Sequence, residues 1–274
     1  MFFLCCYVAI IKGTKIEDVV DVLMKLSEEK RNAVEEVTMD FSDGMYAIVS
    51  QCFPKAMITI DRFHTQQLCT DAMQELRVRL KREERKEDIE AREQHKYRLE
   101  RRKDTRKEDK TDRRGRKRKR KNEAYKPERM ANGDTAIELL TRSRYLLMQS
   151  ADKWTDSQRI RASILFERYP ELKEAYSITH SLRMIYNNRN ATRESGLESL
   201  KQWYNKVTDF DNDAFNTVSA TIYEKQDEIV NYFVHRSTNA AAESLNSKIK
   251  NFRAQLHGVV DVEFFLFRLS LIYA

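Results

Sequence analysis

Asn239, Glu243, Asn246 and Lys250 stand at i, i+4, i+7 and i+11, a spacing that places all four on one stripe of a helix. The opposite face holds Ala241, Ala242, Leu245, Ile249 and Phe252, small or apolar residues suited to packing. A carboxylate flanked by two amides and a lysine suits a metal ligand beside a phosphate backbone. Far upstream, two short apolar runs each end in an aspartate, Val37-Thr38-Met39-Asp40 and Ile58-Thr59-Ile60-Asp61. The second continues as Arg62-Phe63-His64. Hydrolysis and transfer of phosphodiesters use a metal pair about 4 Å apart that activates one oxygen and stabilises the leaving one. Mg²⁺ takes hard carboxylate oxygens, few per ion, and completes its shell with water and substrate phosphate. An open parallel sheet gathers such groups beyond the carboxyl ends of its strands, where Asp40 and Asp61 both fall. An aspartate at a strand end is also a common turn former or helix cap, and taken singly each is better explained that way.

The elements that must position these residues are legible in outline. Residues 7–11 form a β-branched and aromatic run that reads as a buried strand. Residues 16–29 carry Val19, Val20, Leu23 and Leu26 at helical spacing behind acidic Glu17 and Asp18. A strand is expected at 34–39, then a helix capped by Ser42 or Asp43 that runs to Cys52 and stops at Phe53-Pro54. A further strand at 56–60 leads into helical pattern from His64. Strand and helix alternating within about 60 residues is the signature of a parallel α/β sheet.

Beyond Leu80 the pattern changes, and nearly every position from 81 to 121 is charged or polar. Mixed signs favour a solvated helix at first, but residues 113–121 hold eight basic side chains in nine positions: Arg113, Arg114, Arg116, Lys117, Arg118, Lys119, Arg120 and Lys121. Such a run meets a polyanion, and DNA phosphate is the natural one. Asn132-Gly133-Asp134 breaks the chain and caps the next helix. Thr155-Asp156-Ser157-Gln158 forms a capping box, and Pro170 opens another helix. Leu197, Leu200 and Trp203 mark a further one. Residues 215–233 read as one longer helix, and the apolar tail at 259–273 is helical.

The chain has 274 residues, with 50 Lys and Arg against 43 Asp and Glu, for a net charge of +7. That balance fits a polyanion-binding protein. Only 6 Gly and 3 Pro favour long helices over tight turns. Cys5, Cys6, Cys52 and Cys69 have no zinc-type spacing and read as reduced, mostly buried thiols. The apolar start lacks a basic segment and a cleavage site, and Lys12-Gly13 ends it too early to span a bilayer. A cytoplasmic protein without a membrane segment is expected.

Three stretches together carry a resemblance: TMDFSDGMYAIVSQCFPKAMITIDRFH, then RSRYLLMQSADKWTDSQRIRASILFERYPELKEAY, then STNAAAESLNSKIKNFRAQLHGVVDVEFFLFRL. Their identity and order resemble the nuclease half of bacterial insertion-sequence transposases, specifically the ISL-three family of Asp-Asp-Glu enzymes. The resemblance covers nearly the whole chain and implies an α/β, ribonuclease-H-like (integrase-like) core interrupted by a large, mainly α-helical insertion. The core's first part is then 1–64, the insertion 65–225 with its basic segment, and 226–274 the helices returning to the core. It further implies Mg²⁺-dependent cleavage and transfer of DNA strands, with double-stranded DNA (transposon ends and target) as partner and room for a homo-oligomer. Asp40 matches the family's second catalytic aspartate and Glu243 its final glutamate, both as metal ligands. Asp61 and His64 match its Asp-x-x-His signature, in a supporting role.

One feature departs from the family. Its first catalytic aspartate lies on the first strand of the fold, whereas residues 1–6 hold no carboxylate. The family's zinc module and helix-turn-helix have no counterpart here either. An N-terminally truncated transposase, inactive alone, is therefore expected; the alternative is a non-catalytic DNA-binding or assembly protein derived from one. The register of Asn239, Asn246 and Lys250 with Glu243 gives them a supporting role. For His64, a local hydrogen bond at a helix start and support of the Asp40 site both stay open. Trp154 and Trp203 read as core anchors rather than base-stacking platforms, and His95, His180, His235 and His257 as structural or exposed.

Overall fold

A computed structural model of the chain describes residue 11, residues 13–105 and residues 124–273. Of the strand expected at 7–11 only Ile11 is among them, and the basic run at 113–121 lies outside them. Helix α1 (Ile16–Leu23) opens with Glu17 and Asp18 in its first turn, as the pattern requires. The helix expected to reach residue 29 instead breaks. Ser27 accepts the Lys30 N–H and caps a second short helix, α2 (Glu28–Asn32). A serine hydroxyl offers the backbone a local partner that competes with helix continuation.

Strands β1 (Glu36–Met39) and β2 (Met57–Ile60) pair in parallel, Glu36 opposite Met57 and Met39 opposite Ile60. Parallel neighbours require a crossover, here helix α3 (Asp43–Cys52). Ser42 caps α3 by accepting the Met45 N–H, and the helix ends before Phe53-Pro54. Val20 of α1 packs with Ile48 and Cys52 of α3, backed by Val19, Leu23 and Phe53. The result is an α/β unit: a two-stranded parallel sheet within an otherwise helical set of described residues.

From Asp61 the chain enters α4 (Arg62–Thr105), 44 residues long. Cys69, Met73, Leu76 and Leu80 are buried along its first part. Beyond Leu80 the described side chains, to residue 101, are exposed or half-buried, as a solvated charged helix requires.

The described residues divide into two compact units. One contains Cys69–Ser181 and Asp209–Phe215. In it α5 (Ala136–Arg142), α6 (Arg144–Met148), α7 (Asp156–Arg168) and most of α8 (Pro170–Asn187) pack with α4 around Leu139, Leu140, Leu147, Leu165 and Leu172. Thr155 and Gln158 form the expected capping box, and Pro170 is the first residue of α8. The cap of α5 is Thr135 in a box with Glu138, one residue later than expected. Asp134 is instead buried, its carboxylate paired with Arg142 and Arg161. Trp154 packs against Phe166 and Tyr176 and donates to the Leu146 carbonyl at 3.0 Å, an anchor of this core.

The other unit contains the described residues of Met1–Leu68 with Leu182–Thr208 and Asn216–Ala274. Most of α9 (Arg193–Phe210) lies here, with Trp203 buried. The single helix expected over 215–233 is in fact three: α10 (Asp213–Glu224), α11 (Gln226–Val230) and α12 (Tyr232–His235). The first break coincides with Lys225, whose ammonium sits over the Tyr46 ring and 3.6 Å from Asp43. At the second, Asn231 donates its amide to the Ile58 carbonyl at 2.8 Å, fastening the helical run to β2. Then follow α13 (Ala240–Gln255) and α14 (Val262–Tyr273). No helix of the described residues is long and apolar enough to cross a membrane.

Candidate functional site

The approach to α13 is held by side chains that local pattern does not announce. Arg236, at the end of α12, adopts a left-handed conformation (φ 57°). Its guanidinium donates to the carbonyls of Asn188, Arg189 and Ala191 at 3.0, 2.7 and 3.2 Å. Those bonds offset the steric cost of a non-glycine residue in that region. Gly196 lets α9 come close, since a Cβ there would lie 2.4 Å from the Phe233 ring. Next, the Ser237 hydroxyl donates to Glu36 at 2.7 Å, and the other oxygen of Glu36 accepts Thr59 at 2.6 Å. One β1 carboxylate thus ties β2 and the start of α13 together. The sequence pattern does not single out Glu36 and Ser237, because they are 201 residues apart.

Asp61 is 2% exposed, and each of its carboxylate oxygens has a backbone donor. One accepts the Phe63 N–H at 2.7 Å, the bond of a helix N-cap for α4. The other accepts the Asn239 N–H at 2.6 Å, satisfying the amide at the N-cap of α13. Asp61 therefore joins the end of β2 to the beginning of the Glu243 helix.

Glu243 follows Asn239 by one turn and is exposed. Asp40, at the end of β1, is exposed too. Among the described residues neither carboxylate has a side-chain hydrogen bond or ion pair. Nor do the described residues contain a cluster of three or more His, Cys, Asp and Glu able to hold a metal ion. His64 is half-buried, its ring edge-on to Phe63 at 5.6 Å. Asn239 is half-buried, and Asn246 and Lys250 are exposed on α13.

The small, apolar face of α13 predicts close packing on the sheet, with Leu245, Ile249 and Phe252 buried. The structure corrects this: no residue of α13 is buried, and those three are half-buried. Phe252 stacks on Phe265 of α14 at 5.5 Å, with Arg268 over its ring. The apolar stripe thus has a helical neighbour, and attachment to the strands falls to the polar bonds at 237–239.

Asp61 and Glu243 line one cavity of about 350 Å³ with Arg62, Phe63 and Arg183; Asp40 is not among its lining residues. Arg62 is fixed there, donating to the Tyr232 hydroxyl at 3.0 Å with its guanidinium 5.6 Å from that ring. Two cations beside a candidate carboxylate suit an anionic backbone, a feature the stripe pattern does not reveal. A larger cavity of about 490 Å³, in the other unit near Glu84, Asp88 and Arg129, holds none of the candidate residues. Cys52 and Cys69 are free and buried, and burial pushes the Cys69 thiol well above its ordinary range. That is the state of inert core thiols.

A family model described as transposase, of the Asp-Asp-Glu ISL-three group, matches residues 6–269, nearly the whole chain. No curated protein and no solved structure matches it.

Proposed function

The chain belongs to the ISL-three family of Asp-Asp-Glu transposases, and from that membership we propose that it acts on double-stranded DNA in transposition, with Asp40 and Glu243 as its ligands for Mg²⁺. The observation that carries this reading is the contrast between its acidic residues. Asp61 is buried with a backbone N–H on each oxygen, which leaves it less open to a metal, whereas Asp40 and Glu243 keep exposed carboxylates without partners among the described residues. Two hard carboxylates fit Mg²⁺, which takes few protein ligands. When bound, the ion supplies Lewis-acid stabilisation to a phosphate undergoing cleavage or strand transfer.

The chain's own residues do the positioning. Asp61 fixes the first turn of α13, so Glu243 one turn later is held relative to the strand ends. Glu36 does the same through Ser237. Arg62 neutralises a phosphate, while Asn239, Asn246, Lys250 and His64 support the acidic edge. The β1–α3–β2 unit belongs to a ribonuclease-H-like core comprising 1–64 and 226–274, with 65–225 as a helical insertion. The basic run at 113–121 supplies sequence-independent contacts to DNA phosphate.

The test is Mn²⁺ binding, followed by electron paramagnetic resonance with and without duplex DNA. Binding that DNA strengthens, and that Asp40→Asn and Glu243→Gln each abolish, is the expected result. DNA binding that neither the ion nor these substitutions alter would leave a DNA-binding protein without metal chemistry.

A further inference from the structure

We propose that the cavity beside Glu243 receives one unpaired nucleotide of the DNA strand, its base stacked on Phe63 and its phosphate held by Arg62. This deepens the transposase reading and rests on it for DNA as the ligand. The cavity, about 350 Å³, lies at the small end of ligand pockets, roughly 300–1,000 Å³. That is room for a nucleotide-sized group rather than a length of duplex.

Phe63 is 58% exposed on the cavity wall, in the first turn of α4. Among the described residues its aromatic neighbour is His64, and that ring meets it edge-on. Its exposure leaves ring surface on which a base can stack, and stacking of this kind tolerates any base because each has a π-face. Arg62 precedes it, and the Tyr232 hydroxyl and ring hold its guanidinium in place while the residue remains exposed. A planar guanidinium fixed in advance loses little freedom when it takes a phosphate in two bonds. Gln66 and Asn187 also line the cavity, and their amides both donate and accept, as base edges do. Asp61 is 2% exposed on this wall, and each of its oxygens already accepts one backbone N–H, from Phe63 and Asn239. An unpaired base enters such a site at the lowest cost, because no pairing is lost on unstacking it.

The test uses the full chain in EDTA and two duplexes of one sequence, one fully paired and one with a single unpaired 2-aminopurine. Tighter binding of the bulged duplex is expected, by between roughly 5-fold and 150-fold, the equivalent of ~1–3 kcal/mol for one base–aromatic stack. A 2-aminopurine fluorescence change should accompany it. Phe63→Ala should erase the preference and the fluorescence change while sparing paired-duplex affinity, and Phe63→Trp should retain both. Circular dichroism establishes that the variants are folded. Equal binding of both duplexes, or a preference that survives Phe63→Ala, overturns the proposal and leaves the transposase reading standing. Failure to bind either duplex overturns both.

Discussion

Asp61→Ala should loosen the Glu243 helix at its root. The wild-type carboxylate is 2% exposed and accepts two backbone N–H groups, Phe63 at 2.7 Å and Asn239 at 2.6 Å. Hydrogen bonds to a charged acceptor contribute about 1.5–3 kcal/mol each, and loss of an N-cap alone costs about 1 kcal/mol. Asn239 is half-buried, so water can replace part of its bond. A net loss of about 2–4 kcal/mol follows from these terms. Asp61→Asn keeps one accepting oxygen but turns an NH₂ group toward the other N–H, and about half that loss is expected. Two compact units make a single denaturation midpoint ambiguous. Hydrogen exchange by nuclear magnetic resonance is the better assay. Protection of the Phe63 and Asn239 amides should fall together, and exchange through the first turn of α13 should quicken. Unchanged protection at Asn239 in the alanine variant would refute the reasoning.

Gly196→Ala should destabilise the protein, because its Cβ would meet the buried Phe233 ring at 2.4 and 2.5 Å. Overpacking costs about 1–3 kcal/mol, against a helix-propensity gain of about 1 kcal/mol; a raised melting temperature would contradict this. The Thr135 N–H bond holds the Glu138 carboxyl below its usual range. A depressed carboxyl stabilises the fold above its ordinary pKa and loses that effect as pH falls through the lowered value. Amide protection in the first turn of α5 should therefore decline on acidification, and Glu138→Gln should remove the pH dependence. Deleting 113–121 should flatten the fall of DNA affinity with salt, by about 0.9 in logarithmic slope for each phosphate that the run neutralises. A slope unchanged by the deletion would assign DNA binding elsewhere.

The β1–α3–β2 unit was legible because its signals are local. Val37, Thr38, Ile58 and Ile60 favour strands, Ser42 caps α3, and Phe53-Pro54 ends it. The capping box at 155–158 and the first-turn Pro170 were legible for the same reason. Apolar periodicity continued through 215–233, but the breaks at Lys225 and Asn231 accompany interactions with Asp43, Tyr46 and Ile58 far away in sequence. No local signal marks them. Glu243 stood out from its helical register and Asp61 as a local helix cap, whereas the tie from Asp61 to α13 runs to an amide 178 residues away. The half-burial of Leu245, Ile249 and Phe252 was equally illegible, since spacing names an apolar stripe without saying how much of it will be covered.

Iron-mediated cleavage tests the proposed pairing of Asp40 with Glu243 most directly. Fe²⁺ in place of Mg²⁺, with ascorbate and peroxide, generates hydroxyl radicals that cut the polypeptide beside the bound ion, and mass spectrometry maps the cuts. Cuts near residue 40 and near residue 243 should appear together, be suppressed by excess Mg²⁺, and vanish in Asp40→Asn and in Glu243→Gln. Cuts at only one of the two places, or cuts at both that persist in either variant, would contradict a shared metal site.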